Sequence, residues 1–361
     1  MNKKLFVKQS MVDGSIFPLI LQFCLPLIAA NLLQVAFNMA DTVVVGLSSE
    51  PDAVGAVGTT TSFINLIVNL FIGCSVGAKV CCAHALGLGE RKSVSDSVHT
   101  SAVLSILLGL LCAIVGTSVS RPVLVYMGVE GRLLELALLY TRIYFVGVPF
   151  VSVVNFLSAL LHASGDTKTP MVILSVGGIV NVLLNLFFVL VCGMSVGGVA
   201  LATILSNALC AVLLIVTLSR RTDAMRLEFR KLKLMREPFW KILRVGLPAG
   251  LQGVLFSISH LLIQASVLTV DHLLSPAGSA YAPVVKGVAA CTGIEGFANI
   301  AVSSVGQAAV CIVGQNAGAH KWERVRKTRV LCAVTAAVVG VLVPGLPYFV
   351  QRPVVCTVWH S

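Results

Sequence analysis

Residues 16–47 read IFPLILQFCLPLIAANLLQVAFNMADTVVVGL, with one acid, Asp41, and no base. The hydrocarbon core of a bilayer is about 30 Å thick, and about 20 apolar residues cross it as a helix. This stretch is long enough to do so. A transmembrane β-strand needs only about ten residues and alternates apolar with polar, whereas this run is continuous. The reading is therefore a membrane helix. It carries Asn31, Gln34, Asn38 and then a carboxylate, which implies a face turned away from lipid.

The rest of the chain repeats the pattern. Of 361 residues, 57% are hydrophobic and 11% are charged, with a mean hydropathy of +0.94. Soluble domains carry about 25% charged residues, so this chain cannot cover a soluble surface. Nine apolar segments are long enough to span: 16–40, 54–78, 97–119, 133–160, 170–191, 196–218, 242–268, 284–312 and 330–350. The fold class is an all-α polytopic membrane protein with about nine transmembrane helices. Its start, MNKK, leads into a spanning helix without a small-residue cleavage site, so no cleavable signal peptide is expected.

The net charge is +11, which raises the question of nucleic acid. Basic residues of membrane proteins gather in cytoplasmic loops, and that is the reading here. With the N-terminus inside, the inner segments hold Lys3, Lys4, Lys8, Lys79, Arg91, Lys92 and Lys168. They also hold nine bases in 220–244 and five in 321–329, while the outer loops before the tail hold only Arg121 and Arg132. A multi-pass cell-membrane protein with a cytoplasmic N-terminus is expected, with lipids as partners and no nucleic acid. The eleven cysteines show no metal-ligand spacing and lie mostly in apolar runs, as small buried hydrophobes do. No zinc-protease helix, nucleophile elbow or catalytic carboxylate pair is present. The chain reads as a non-enzyme without cofactor or resident metal.

The longest polar stretch, SRRTDAMRLEFRKLKLMREPFWK at 219–241, divides six helices from three. It reads as a basic cytoplasmic linker on the membrane surface. The expected domains are a six-helix lobe at 1–218, this linker, and a partial second lobe at 242–361. Two matches cross the linker. LPLIAANLLQVAFNMAD from Leu25 aligns with LPAGLQGVLFSISHLLI from Leu247, and AHALGLGERKSV from Ala83 with GQNAGAHKWERV from Gly314. Because six helices separate the copies, both start on the same side. They form a parallel repeat about an axis along the membrane normal, a plan that transporters use.

Gln34, Asn38 and Asp41 fall at i, i+4 and i+7 on one helix face. Intramembrane acids usually face a cavity and mark ion or substrate paths, although a place at the outer interface also fits a residue so far along the segment. Candidate partners are Asn181 and Asn185 on one face of helix 5, Asn155 in helix 4, and Asn65 and Asn69 in helix 2. In the second copy, Ile263 aligns with Asp41, so ion chemistry belongs to the first lobe. Glu295, the acid inside the second lobe's helices, either binds cationic cargo or balances Lys286. His260 lies on the cavity face if the repeat holds.

At these residues the sequence resembles the multidrug and toxic compound extrusion (MATE) family. The resemblance is carried by LPLIAANLLQVAFNMADTVVVG, GLGERKSV, ASGDTKTPM, NVLLNLFFVLVCGMSVGGVALATILSNAL, GLPAGLQGVLFSISHLLIQASV, IEGF and VGQNAGAHKWERV. It implies a two-lobe, normally monomeric exporter of small organic, often cationic compounds. H⁺ or Na⁺ would be the exchanged ion, with Asp41 as the coupling acid and a possible Na⁺ position there. The implied site is Asp41, Asn38, Gln34, Asn181, Asn185, Asn155 and Glu295. Two departures stand out. Asn185 occupies a position where several family members carry an acid, and the second lobe lacks the family's last three helices. The tail, GVLVPGLPYFVQRPVVCTVWHS, reads like a shifted frame or an early stop. An inactive remnant or a membrane interaction partner is the alternative expectation, ahead of a flippase for lipid-linked intermediates.

Overall fold

A computed structural model of the chain describes residues 11–48, 50, 52–274 and 283–358. Among these residues the chain is built from nine α-helices and has no strand. They are α1 (Ile16–Gly46), α2 (Ala53–Leu88), α3 (Arg91–Tyr126), α4 (Gly131–Ala163) and α5 (Lys168–Leu186), followed by α6 (Val196–Ser219), α7 (Arg236–Leu274), α8 (Pro283–Gly318) and α9 (Trp322–Val358). All nine expected segments are helical, and most run past the apolar stretch into polar turns. All except α9 are long and apolar enough, among the described residues, to cross a membrane. The chain is a multi-pass membrane protein. Leu25, Val146, Ile114 and Leu183 stand on its outer surface, each more than half exposed, as side chains bathed in lipid would be.

Short turns keep neighbouring helices antiparallel. ASGDTKTPM shows how. Gly165 adopts φ +85, a left-handed conformation open to glycine. The carboxylate of Asp166 then accepts hydrogen bonds from the Thr169 N–H (3.0 Å) and hydroxyl (2.8 Å), which caps the start of α5.

The first lobe, α1–α6, has two apolar cores. One, toward the end bearing Gly131, joins α2, α3, α4 and α6 through Phe63, Leu124, Tyr140, Phe145 and Val196. The other, toward the basic end, joins Val94, Val98, Leu157, Leu161, Leu214 and Leu218. The linker adds Met225 and Leu227 to this second core, both nearly fully buried. It is thus docked onto the helix ends. His99 explains the docking. Its Nδ1 lies 2.7 Å from the Ser95 carbonyl, so it donates there, and its Nε2 accepts the Glu228 N–H at 3.1 Å. Thr100 Oγ1 accepts the Met235 N–H at 3.2 Å. Helix α7 begins at Arg236, inside the stretch read as linker.

The second lobe meets the first along α2. Gly73 and Gly77, spaced for close packing, abut the backbone of α7 at Gly250 and at the Ile242 carbonyl. Against α8 the contact is reciprocal. A Cβ on Gly87 would overlap the Gln315 carbonyl, and a Cβ on Gly318 would overlap the His84 carbonyl. In the repeat alignment Gly87 pairs with Gly318, and His84 with Gln315. Gly314 faces Ala83, its own counterpart. That reciprocity is what a two-fold axis passing between α2 and α8 produces.

Residues 11–14 close the same end. The Met11 N–H donates to Gln315 Oε1 (3.3 Å), and Asn316 Nδ2 donates to the Met11 carbonyl (3.1 Å). Lys321 Nζ bonds the Asp13 carboxylate (2.9 Å), and Arg324 donates to the Gly14 carbonyl (2.8 Å). Gln315 Nε2 also donates to the Ala163 carbonyl at the end of α4 (2.7 Å). Toward the other end, Leu255, Leu262 and Ile263 of α7 are each more than half exposed.

Candidate functional site

A cavity of about 440 Å³ lies inside the first lobe, between α1, α2, α4, α5 and α6. Its position follows from the sequence. The polar residues of α1 repeat at helical spacing, so one face of an apolar helix carries Gln34, Asn38 and Asp41 into the lobe, and all three line the cavity. Helix α2 brings Asn65 and Asn69, α4 brings Asn155, and α5 brings Asn181. Five of the seven expected site residues therefore line the cavity, and a sixth, Asn185, is buried behind the lining and bonded to Asp41. The seventh, Glu295, is exposed on α8 and lies outside this lining. The side chains of His260 and Lys286 lie outside the described residues.

The cavity's polar wall is ordered by one chain of hydrogen bonds. Asn185, fully buried, donates from Nδ2 to Asp41 Oδ1 at 2.5 Å and to Asn181 Oδ1 at 3.3 Å. Asn181 Nδ2 lies 3.5 Å from Thr203 Oγ1, which donates to the Val199 carbonyl of its own helix at 3.0 Å. The relay joins α1, α5 and α6. Helix α5 changes to a π-helical turn at Phe187–Val191, which starts two residues after Asn185. Such turns insert one residue and re-aim the side chains beside them.

Asn185 Oδ1 is buried and has no hydrogen-bond partner. A buried acceptor left unpaired is unfavourable by about 1–3 kcal/mol, so the site has an oxygen to offer beside its one carboxylate. An amide can donate to an ionised carboxylate, or turn over and accept from a protonated one. The corner offers oxygens of the kind that a proton or a small hard cation takes as partners. Among the described residues, no group of three or more His, Cys, Asp or Glu is placed to hold a metal ion.

Other lining groups were not singled out by the sequence. They are Thr203, Ser206 and Asn207 of α6, Ser175 of α5, Thr61 of α2, and the Tyr140 and Tyr144 pair of α4. The two tyrosine rings stack at 6.2 Å with an interplanar angle of 27°. Their i, i+4 spacing was the available signal, but tyrosine in an apolar helix reads equally well as core. Asn155 bonds the Val151 carbonyl of its own helix (2.8 Å), and Asn69 reaches Ser257 of α7 (3.4 Å). Asn69 thus ties the cavity wall to the second lobe.

Comparison with known proteins bears on this site. A family model described as MatE matches residues 26–187, which hold α2–α5 and most of α1. The probable multidrug resistance protein YoeA of Bacillus subtilis is 28% identical, over 84% of this chain and 65% of its own length. The probable multidrug resistance protein NorM of Thermotoga maritima is also 28% identical, over 90% of this chain and 69% of its own length. The chain spans about two thirds of the length of these relatives. A solved structure described as the outward-facing conformation of a multidrug resistance MATE family transporter of the MOP superfamily superposes with a TM-score of 0.82. It covers 93% of this chain and 73% of the other, at 23% identity, a likeness that establishes the fold.

Proposed function

We propose that the chain is a member of the MATE family and works as a secondary active antiporter. In this reading it exports small organic, often cationic compounds in exchange for H⁺ or Na⁺. The observation that carries the reading is the Asp41–Asn185–Asn181–Thr203 relay on the wall of the first-lobe cavity. A single carboxylate is bonded to a buried amide whose own oxygen lacks a partner. The site can therefore take up one positive charge, whether a proton, a sodium ion or the charged end of a cargo molecule.

The mechanism is competition. Ion and cargo address the same carboxylate and overlapping amides, so loading one lowers affinity for the other by the same factor in both directions. Cargo enters with its apolar body against Phe37, Tyr140 and Tyr144 and its cation toward Asp41. Entry of the ion from outside neutralises Asp41 and releases the cargo. The ion-loaded lobe then closes on the outer side and opens on the inner side.

The basic end faces the cytoplasm in this reading. Support comes from Arg91, Lys92, Arg220, Arg221, Lys321 and Arg324, which gather where positively charged loops are retained. The lobe contact through α2, α7 and α8 is then the inner seal of an outward-facing state. Expression of the chain in cells lacking other exporters tests the function. Wild-type chain lowers retention of a cationic dye, and Asp41→Asn abolishes that effect while inserting in the membrane to the same level. Normal efflux by the variant would overturn the coupling role.

A further inference from the structure

The seal between the lobes encloses a lysine. Lys79, on α2, is 5% exposed, and its Nζ donates to Gln307 Oε1 of α8 at 2.7 Å. The Cys311 thiol of α8 and the His162 ring of α4 are within electrostatic reach of it, and the His162 ring meets Phe23 of α1 edge-on at 6.1 Å. Helices α8 and α4 therefore close on this side chain of α2, and α1 packs behind His162. Ala78 and Cys82 beside it in sequence on α2, and Ala308, Cys311 and Ile312 on α8, are all fully buried. None of the ion pairs among the described residues includes Lys79. An ammonium group has three donors, and here one neutral amide accepts from it.

Enclosing an ammonium without a counter-charge is unfavourable, so the state that buries Lys79 is penalised whether the group keeps its proton or gives it up. Lys79 is buried by the contact of α2 with α8, which spans the two lobes. Parting those helices at the basic end returns the ammonium to water. We propose that Lys79 acts as a charged spring in the inner seal, whose enclosure favours opening of the basic end. The clasp at Met11–Gly14 and the glycine contacts of α2 hold the seal, and Lys79 works against them. Opposing terms of this kind keep two states close in free energy, which alternation requires. Lys79 is a positioning residue of the transport cycle, distinct from the cavity groups that take ion or cargo. The inference rests on the two-lobe antiporter reading.

Cys311 is a built-in reporter, because it is buried in the same contact. The test is alkylation of the full chain in proteoliposomes by N-ethylmaleimide, read residue by residue with mass spectrometry. Lys79→Met replaces the charge with an apolar chain of similar length. It should slow Cys311 labelling by at least about tenfold, within the range of gains seen when buried ionic groups give way to well-packed apolar side chains. Gln307→Leu removes the ammonium's acceptor and should speed labelling several-fold, while Lys79→Arg should stay near wild type. Cys112, fully buried in the first lobe, controls for global unfolding and should be unchanged in all three. Unchanged or faster Cys311 labelling in Lys79→Met overturns the proposal, as does a Cys311 that never labels in wild type. Dye efflux is scored separately. Its loss with the labelling pattern intact would refute the transport reading and leave the spring in place.

Discussion

Replacing Asn185 with leucine isolates the polar relay. The side chain is fully buried and donates to Asp41 at 2.5 Å and to Asn181 at 3.3 Å. A hydrogen bond to a charged group contributes about 1.5–3 kcal/mol in soluble proteins. Interhelical polar contacts in a bilayer protein average about 0.6 kcal/mol and reach about 1.7. The Asp41–Asn185 contact involves the site's carboxylate, so its coupling energy should fall near the upper membrane value, about 1.5 kcal/mol. The assay is a double-mutant cycle of Asp41→Asn with Asn185→Leu, followed by reversible unfolding in mixed detergent. A second cycle pairs Asp41→Asn with Asn155→Leu. Asn155 bonds its own helix, so that pair should be additive to within about 0.5 kcal/mol. Additivity in the first cycle would refute the relay, and equal coupling in both would show that the effect is not specific to Asn185.

Three further outcomes follow from the geometry. Gly87→Ala and Gly318→Ala each place a Cβ against a backbone carbonyl that cannot withdraw, so each should weaken the inner seal by about 1–3 kcal/mol. The two-fold relation predicts similar increases in Cys311 labelling, and a response in only one would contradict the repeat. His99→Leu leaves the Glu228 N–H without its acceptor and should release the linker, read as faster trypsin cleavage at Arg226 and Arg230 with α-helical content unchanged. The Lys231 ammonium holds the Glu228 carboxyl below its usual range. That pair favours the fold above the unfolded pKa of Glu228 and loses its contribution as pH falls through the lowered value. Because the pair is exposed, Glu228→Gln should leave the pH dependence of thermal unfolding unchanged within error.

The membrane architecture was legible because lipid imposes a simple rule. A helix that crosses must be apolar for about 20 residues, and each of the nine runs became a helix. The ends were not legible. Polar turns beyond the lipid are held by contacts that leave no apolar pattern, as where α2 continues through His84 to Leu88 against α8. Much of the cavity could be read for the opposite reason. Asparagine, glutamine and aspartate are conspicuous in an apolar helix, so Gln34, Asn38, Asp41, Asn155, Asn181 and Asn185 stood out. Thr203 and Ser206 did not, because hydroxyls in helices commonly bond their own backbone, as Thr203 does to Val199 and Ser206 to Thr203. Lys79 was counted with the bases of the inner segments. Only the packing of α2 on α8 reveals that it is enclosed.

The most direct test of ion–cargo exchange uses the purified chain in proteoliposomes loaded with a cationic dye. A pH gradient or a sodium gradient is imposed, each in the absence of the other. Exchange predicts that one inward ion gradient drives dye out against its own concentration, and that Asp41→Asn abolishes the driven flux. Dye movement that ignores both gradients, or that persists in Asp41→Asn, would contradict it.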